Sequence, residues 1–321
     1  MKKYLKVSGK GGISVTVVAD SIHYYNDPEG ERVATLLAEY PRFIHGEVMT
    51  HRALSKNSSS SRAIPVAKVL EQVRINPAMP IHWGVNRAGM QAYEELTGND
   101  LRCAQRAWKE AARAATDAAE HLGSVGVHKQ VANRLLEPFQ RMRVVITATS
   151  FDNLLHLRLH KATRPEFQEL AKCLYLALKQ SSPTELREGM WHTPFYEDGY
   201  WSETHSVPLE TALRISASCC AQTSYRKLDT TEEKADAIWN KLVSETPVHS
   251  SPTEHQATPI FDDIDWPKGV THVDRQGNFW SNNFKGWVQH RALIPNNVCE
   301  VYEDTWDVDL SHLKTELIEG F

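Results

Sequence analysis

Apolar positions along this chain change period several times, and each change marks an element. From Ser14 to Ala19 the valines Val15 and Val17 alternate with smaller or polar neighbours, which predicts a strand. Arg42 to Met49 reads as a second strand leading into a polar stretch, and the β-branched run Val144-Val-Ile-Thr147 as a third. Residues 101–122 form an alanine-rich helical pattern closed by Gly123. Pro165 to Lys179 opens with Pro and Glu at helix-start positions and carries Phe167, Leu170, Ala171, Leu174 and Leu178 on one face. Thr230-Thr-Glu-Glu233 is a capping box before a helix bearing Ala237, Ile238, Leu242 and Val243. Leu154 to Leu159 fits either an alternating strand or a buried helical turn. Gly189 to Glu203 is aromatic and irregular, better suited to a core or an interface than to stacking on a flat ring. Strands and helices intermix without a βαβ beat, so the expected class is α+β, a mixed sheet with flanking helices.

Composition narrows the function classes. The 321 residues are enough for a full core, as one large domain or two small ones, and no low-complexity linker divides them. A net charge of −4 gives no global basic field for nucleic acid or anionic membrane. Mean hydropathy is −0.45, no apolar run is long enough to span a bilayer, and Met-Lys-Lys-Tyr-Leu-Lys lacks the apolar core of a secretion signal. The five cysteines (Cys103, Cys173, Cys219, Cys220, Cys299) show no paired metal spacing and fit a reducing cytoplasm. Adjacent Cys219 and Cys220 read as packed thiols on a helix.

The densest chemistry lies at 50–62, Thr-His-Arg-Ala-Leu-Ser-Lys-Asn-Ser-Ser-Ser-Ser-Arg. His51, Arg52, Lys56 and Arg62 gather cations or hydrogen-bonding rings, while Ser55, Asn57 and Ser58 to Ser61 add small donors. The nearest acids are Glu47 and Glu71. Small polar side chains let backbone close on an anion, and a terminal arginine can grip phosphate oxygens in pairs. A solvated polar loop is the other reading of the composition.

Spacing favours the ligand site. The segment resembles the signature of the flavin-dependent thymidylate synthases, the ThyX family, written Arg-His-Arg-x-x-Ser-x-Asn-Glu-x-Ser-x-Arg. His51, Arg52, Ser55, Asn57, Ser60 and Arg62 fall in register, whereas Thr50 replaces the first Arg and Ser58 the Glu. Glu47 is a candidate to compensate for the missing acid. Val131-Ala-Asn-Arg-Leu-Leu-Glu-Pro138 resembles the family's Val-Ala-Arg-x-x-Leu-Pro segment, which makes Arg134 a second phosphate arginine. Asn153-Leu-Leu-His-Leu-Arg158 with Ala162-Thr-Arg-Pro-Glu166 resembles Asn-Phe-Leu-x-Leu-Arg…His-Ala-Gln-x-Glu, with Ala162 where the family has histidine.

Two further family elements stand in an unexpected place. Ala221-Gln-Thr-Ser-Tyr225 and His249-Ser-Ser-Pro-Thr-Glu-His255 resemble Ala-Arg-Val-Ser-Tyr and His-x-Ser/Thr-Pro-Phe-Glu-His, which precede the signature in the family and follow it here. The order therefore reads as a circular permutation, a rearrangement tolerated where termini lie close together. Trp287-Val-Gln-His-Arg-Ala-Leu293 repeats the His-Arg-Ala-Leu of Val48 to Leu54, as duplication followed by trimming would leave. Whether His290 and Arg291 meet a ligand is open. The expected organisation is a single permuted domain over 1–321, with the signature and dUMP part at 1–185 and a flavin part at 205–321.

What the resemblance implies is thymidylate synthesis: FAD as resident cofactor, NADPH as reductant, methylenetetrahydrofolate as one-carbon donor and dUMP as acceptor. Ser60, Ser61, Arg62, Arg134 and Arg158 are the implied dUMP residues, with Arg158 and Ser60 closest to catalysis. His51, Arg52, Asn153, Ser224, His249, Ser251 and Glu254 are the implied FAD residues. The family builds its sites between subunits of a homotetramer, so an oligomer is expected. A pyrimidine nucleotide hydroxymethylase on the same scaffold is an alternative, as is a non-catalytic flavin or nucleotide binder. Other chemistry has weaker support. Lys10-Gly-Gly12 lacks the Walker pattern and reads as a turn. The arginine inside His156-Leu-Arg-Leu-His160 repels a metal cation, no Gly-x-Ser-x-Gly elbow is present, and Cys103 and Cys173 lack a nucleophile's context.

Overall fold

A computed structural model describes residues 3–25, 27–89, 91–224, 228–261, 266–301, 309 and 311–314. The first half contains β1 (Lys6–Ser8), β2 (Ser14–His23), β3 (Glu31–Pro41), α1 (His45–Met49), β4 (Ser55–Ser58), α2 (Val66–Ile75), α3 (Gly98–Ser124) and α4 (Lys129–Ala132). There follow β5 (Arg141–Ala148), α5 (Asp152–Arg158), α6 (Pro165–Gln180), β6 (Thr184–Glu185), β7 (Trp191–His192), β8 (Tyr200–Trp201), α7 (Leu209–Ala221) and α8 (Glu232–Trp239). The last described elements are β9 (Ala257–Pro259), β10 (His272–Val273), β11 (Phe279–Ser281), β12 (Phe284–Lys285) and β13 (Trp287–Gln289). Helices and largely antiparallel sheets intermix, as the α+β expectation requires.

The main sheet runs β1-β2-β3-β5-β4, with β6 parallel to β2 at its side. β2 and β3 pair from Ser14↔Glu39 to His23↔Glu31, with a bulge between Val17 and Ala19. β3 pairs with β5, and β5 carries β4 on its far edge in the register Ser55↔Thr147 to Ser58↔Val144. Both faces of this sheet are covered. On one, Leu36, Tyr40, Val144 and Ile146 pack on Phe167, Leu170 and Leu174 of α6. On the other, Val18 and Val145 meet Trp191, Phe195 and Trp201 together with Leu213, Ile215, Cys219 and Cys220 of α7. Burial on both sides is why 144–147 reads as an unbroken apolar run with no alternation. A four-stranded sheet, β13-β9-β7-β8, buries Trp287 against Val33, Leu186 and Phe284.

A polar seam crosses between the early and late parts. Ser21 Oγ meets His192 Nδ1 at 2.8 Å, His192 Nε2 meets Thr35 Oγ1 at 2.8 Å, Thr35 meets Thr147 at 2.7 Å, and Thr147 meets His255 Nδ1 at 2.8 Å. Its side chains are buried, and burial pushes His192 and His255 down to about 3, so both rings are neutral.

Three sequence expectations change. Arg42 to Met49 is a 3₁₀ turn (Arg42–Ile44) followed by α1, not a strand. Pro41 has no N–H to extend the ladder, and Ile44 and Val48 are buried at i, i+4 spacing, a helical period. α3 begins at Gly98 and ends at Ser124, and the reversal after it belongs to Gly126, at φ 86°, not to Gly123. α8 is capped by Thr231, whose side chain accepts from Lys234 N–H, one residue later than the box Thr230–Glu233, and Asn240–Ser244 continues it as a π turn. Leu154 to Arg158 resolves as helix α5, and the aromatics Trp191, Phe195, Tyr196 and Trp201 are core.

Candidate functional site

β4 places the signature segment on the sheet edge, where its two ends meet different late elements. At its far end, Ser59 extends the pairing: its N–H donates to Arg143 O at 2.8 Å, and Arg143 N–H returns to Ser59 Oγ at 3.2 Å. Ser60 N–H donates to Ser224 Oγ at 2.9 Å, and Asn57 Nδ2 donates to the Cys220 carbonyl at 3.1 Å. The early signature and the Ala221-Gln-Thr-Ser segment therefore touch within one chain. Tyr225, which completes that motif, lies outside the described residues.

Around this end lies a cleft of about 360 Å³, lined by Ser59, Ser61, Thr223 and Ser224 with Arg42, Lys68, Arg141 and Arg143, against Glu39 as the single lining carboxylate among the described residues. Four cations facing hydroxyls make a cradle for an anion. Arg141 is partly occupied, donating to Gly11 O and Asn76 O at 3.2 and 3.1 Å, and Arg42 pairs with Glu137 at 2.9 Å. Glu137 also accepts from buried Ser61 Oγ at 3.1 Å and pairs with exposed Arg134 at 3.0 Å. Sequence reasoning missed Arg42, Lys68, Arg141 and Arg143. The signal for two of them was present: Arg141 and Arg143 stand at i, i+2 in an otherwise apolar strand, which puts both on one face.

At the near end, His51 is buried beside α5 and α6. Arg158 Nε donates to His51 Nε2 at 2.8 Å, and the guanidinium carbon lies 4.7 Å from the Phe167 ring centroid. Accepting at Nε2 leaves the His51 proton on Nδ1. Burial, then the charges of Arg158 and Lys56, lower the His51 pKa and hold the ring neutral. Lys56 Nζ donates to His51 O. Burial lowers the Lys56 pKa while the Glu254 carboxylate opposes that shift, so the late 3₁₀ turn Ser251–Glu254 also reaches the signature. Glu254 is ion-paired with Arg291.

The remaining sequence-derived candidates are surface groups. Arg52, Arg62, Asn153, His249 and Ser251 are exposed, and none of their side chains makes a hydrogen bond or ion pair among the described residues. Arg62 is tied in only by its backbone N–H, which donates to Ser60 Oγ at 3.2 Å. Glu47, considered as a substitute for the acid missing at Ser58, is held by Arg164 at 3.1 Å. His290 is buried and stacks on Trp239 with centroids 5.8 Å apart, so it serves packing.

Comparison with known proteins bears on residues 31–184, which match the family described as thymidylate synthase complementing protein. No curated protein matches the sequence. Among solved structures, a UMP/dUMP methylase, PolB, from Streptomyces cacaoi with 5-bromo-dUMP aligns at 16% identity and a TM-score of 0.41, over 53% of this chain and 91% of that one. The same methylase with 5-bromo-UMP aligns at 17% identity and 0.44, over 53% and 90%. The matched segment contains β3, the signature on β4, the two arginines of β5, Arg158 and α6. Residues 31–184, a little under half of the chain, are thus similar to the thymidylate synthase complementing protein family.

Proposed function

We propose that this protein is a flavin-dependent thymidylate synthase with permuted order, methylating dUMP at uracil carbon 5 with methylenetetrahydrofolate and NADPH. The observation that carries the reading is the cleft at the end of β4, where signature serines, Ser224 and four cations face one another. The nucleotide phosphate enters there, met by Ser59, Ser60 and Ser61, by Arg143 and by Arg62 from the loop above. Arg134 turns from Glu137 to the phosphate when the latter arrives; the two anions compete for one guanidinium. The pyrimidine lies toward Arg158. With Nε committed to His51, that guanidinium keeps its Nη donors for a ring carbonyl, where charge develops as carbon 5 becomes nucleophilic.

The residues present fit a flavin dinucleotide. Arg52, Asn153, His249 and Ser251 are a donor set without protein partners among the described residues, suited to an anionic ligand rich in acceptors. Arg52, Asn153, His249, Ser251, Ser224 and the Glu254 carboxylate would hold it, with neutral His51 at its edge. When bound, FAD supplies the electrons that turn the one-carbon unit into a methyl group. The chain's own part is to bind, orient and neutralise. Ser224, His249, Ser251 and Glu254 come from the late part and the phosphate groups from the early part, so a single permuted unit supplies both, and assembly into a homotetramer completes the reading.

A second reading has its own observation. Glu47 is engaged by Arg164 and Ser58 carries no charge, so the acid of the family signature is without a counterpart on this strand. That favours a hydroxymethylase in which water, not hydride, captures the one-carbon unit. Incubation with dUMP, methylenetetrahydrofolate, NADPH and FAD, followed by nucleotide mass spectrometry, decides. A gain of one methylene supports the synthase, a further oxygen the hydroxymethylase, and unchanged dUMP with bound flavin a non-catalytic relative.

A further inference from the structure

The second His-Arg-Ala-Leu string lies beside the first copy's turn. Immediately before it stands Gln289, on β13, 1% exposed and paired with Ala257 of β9. Its Nε2 faces three oxygens of the site: Ser55 Oγ at 3.1 Å, the Glu254 carbonyl at 3.1 Å and Asn283 Oδ1 at 3.2 Å. Its Oε1 accepts from Asn282 Nδ2 at 2.8 Å, so the amide orientation is fixed from both ends. Asn283 in turn donates to the Ala53 carbonyl at 2.9 Å. Two residues after Gln289, Arg291 pairs with the Glu254 carboxylate and donates to the Asn297 carbonyl at 3.2 Å.

We infer that the segment 289–291, which leads into the repeated string, is a brace for the signature: Gln289 and Arg291 are positioning residues that fix the Ser55 hydroxyl and the Glu254 carboxylate, and neither touches a ligand. The geometry gives the reason. A carboxylate on a short 3₁₀ turn can face Lys56 or swing to solvent, and Arg291 sets its direction from behind. The turn between His51 and Ser55 has few backbone bonds of its own, with Leu54 N–H to His51 O at 3.4 Å the one that closes it, so the Gln289 and Asn283 amides supply the rest. A retained copy of the motif has thereby become support for the working copy. The ligand-related part of this inference rests on the proposed function; the mechanical part does not.

Hydrogen exchange on the full chain tests the mechanical part without any ligand. In Gln289→Leu and in Arg291→Gln, amides of 51–58 should exchange about tenfold faster, the scale of losing one or two buried hydrogen bonds. Amides of β2 and β3 should be unchanged, and Arg291→Lys should restore most of the protection in the second case. Unchanged exchange at 51–58 overturns the brace, as does equal acceleration everywhere, which would mean general destabilisation. With FAD and dUMP added, both variants should show weaker flavin binding by fluorescence quenching and a raised KM, with kcat less affected. If wild-type protein binds neither ligand, the proposed function fails while the exchange result still decides the brace. A kcat loss with exchange and KM unchanged would place Arg291 or Gln289 on the reacting groups and refute it.

Discussion

Arg143 is the residue on which the nucleotide site can be judged most directly. Its backbone is locked to Ser59 in both directions, so its side chain enters the cleft from a rigid strand. Arg143→Ala should weaken dUMP binding by about 1.5–3 kcal/mol, the scale of a charged hydrogen bond, measured by calorimetry with thermal stability as control. Arg158→Lys should depress kcat more than dUMP affinity, because a point charge cannot bond His51 and a carbonyl together as a planar fork does. Equal losses would mean that Arg158 only holds the ground state. At this scale the sequence was most informative where spacing, not composition, was the signal. His51 and Arg158, from separate motif matches 107 positions apart, meet at 2.8 Å. Arg141 and Arg143 escaped notice because their meaning depends on which strand edge lies beside them, which is a tertiary fact.

Among the elements, α6 connects packing to the site. Phe167 is fully buried beneath the sheet, and the same ring supports Arg158 on its face and His51 at its edge, with 5.6 Å between the His51 and Phe167 centroids. Phe167→Ala should therefore cost about 3–5 kcal/mol in urea unfolding and, in folded protein, also raise KM for dUMP. A Leu replacement should recover most of the stability and less of the affinity. α6 was legible because a periodic apolar face and a Pro-Glu start agree. Arg42 to Met49 was not, because Ile44 and Val48 also suit a strand when the proline's effect on the ladder is neglected. The short strands β7 to β9 are joined to one another and to β13 mainly by long-range pairings, and no local pattern of two or three residues could reveal them.

For the molecule as a whole, the buried seam sets the acid limit. His192 and His255 are held near 3 and His290 near 4 by burial, against 6.5 for a free imidazole. The folded state therefore binds fewer protons than the unfolded state below pH 6.5, and stability is full above that value and lost as pH falls toward the folded pKa values. The loss approaches about 1.4 kcal/mol per pH unit for each ring in the window. Urea midpoints at pH 7.5, 5.5 and 4.5 should fall in that order, and His255→Gln should flatten the trend. The α+β class was legible across the whole chain, since no βαβ rhythm exists in its pattern. The contact of residues 57–60 with 220–224 was legible only through motif order, because nothing in local periodicity ties positions 160 residues apart.

The hydrogen bond that joins β4 to α7 carries one more consequence. Cys103 and Cys299 are exposed, whereas Cys173, Cys219 and Cys220 are buried, and burial pushes the Cys219 thiol up to about 12. A maleimide should accordingly modify the first pair promptly and leave the others silent in native protein. Because Asn57 is bonded to the Cys220 carbonyl, the rate at which that sulfur becomes reactive clocks the parting of helix and strand. Saturation with a tight nucleotide should slow the clock, turning an inert pair of sulfurs into a gauge of site closure.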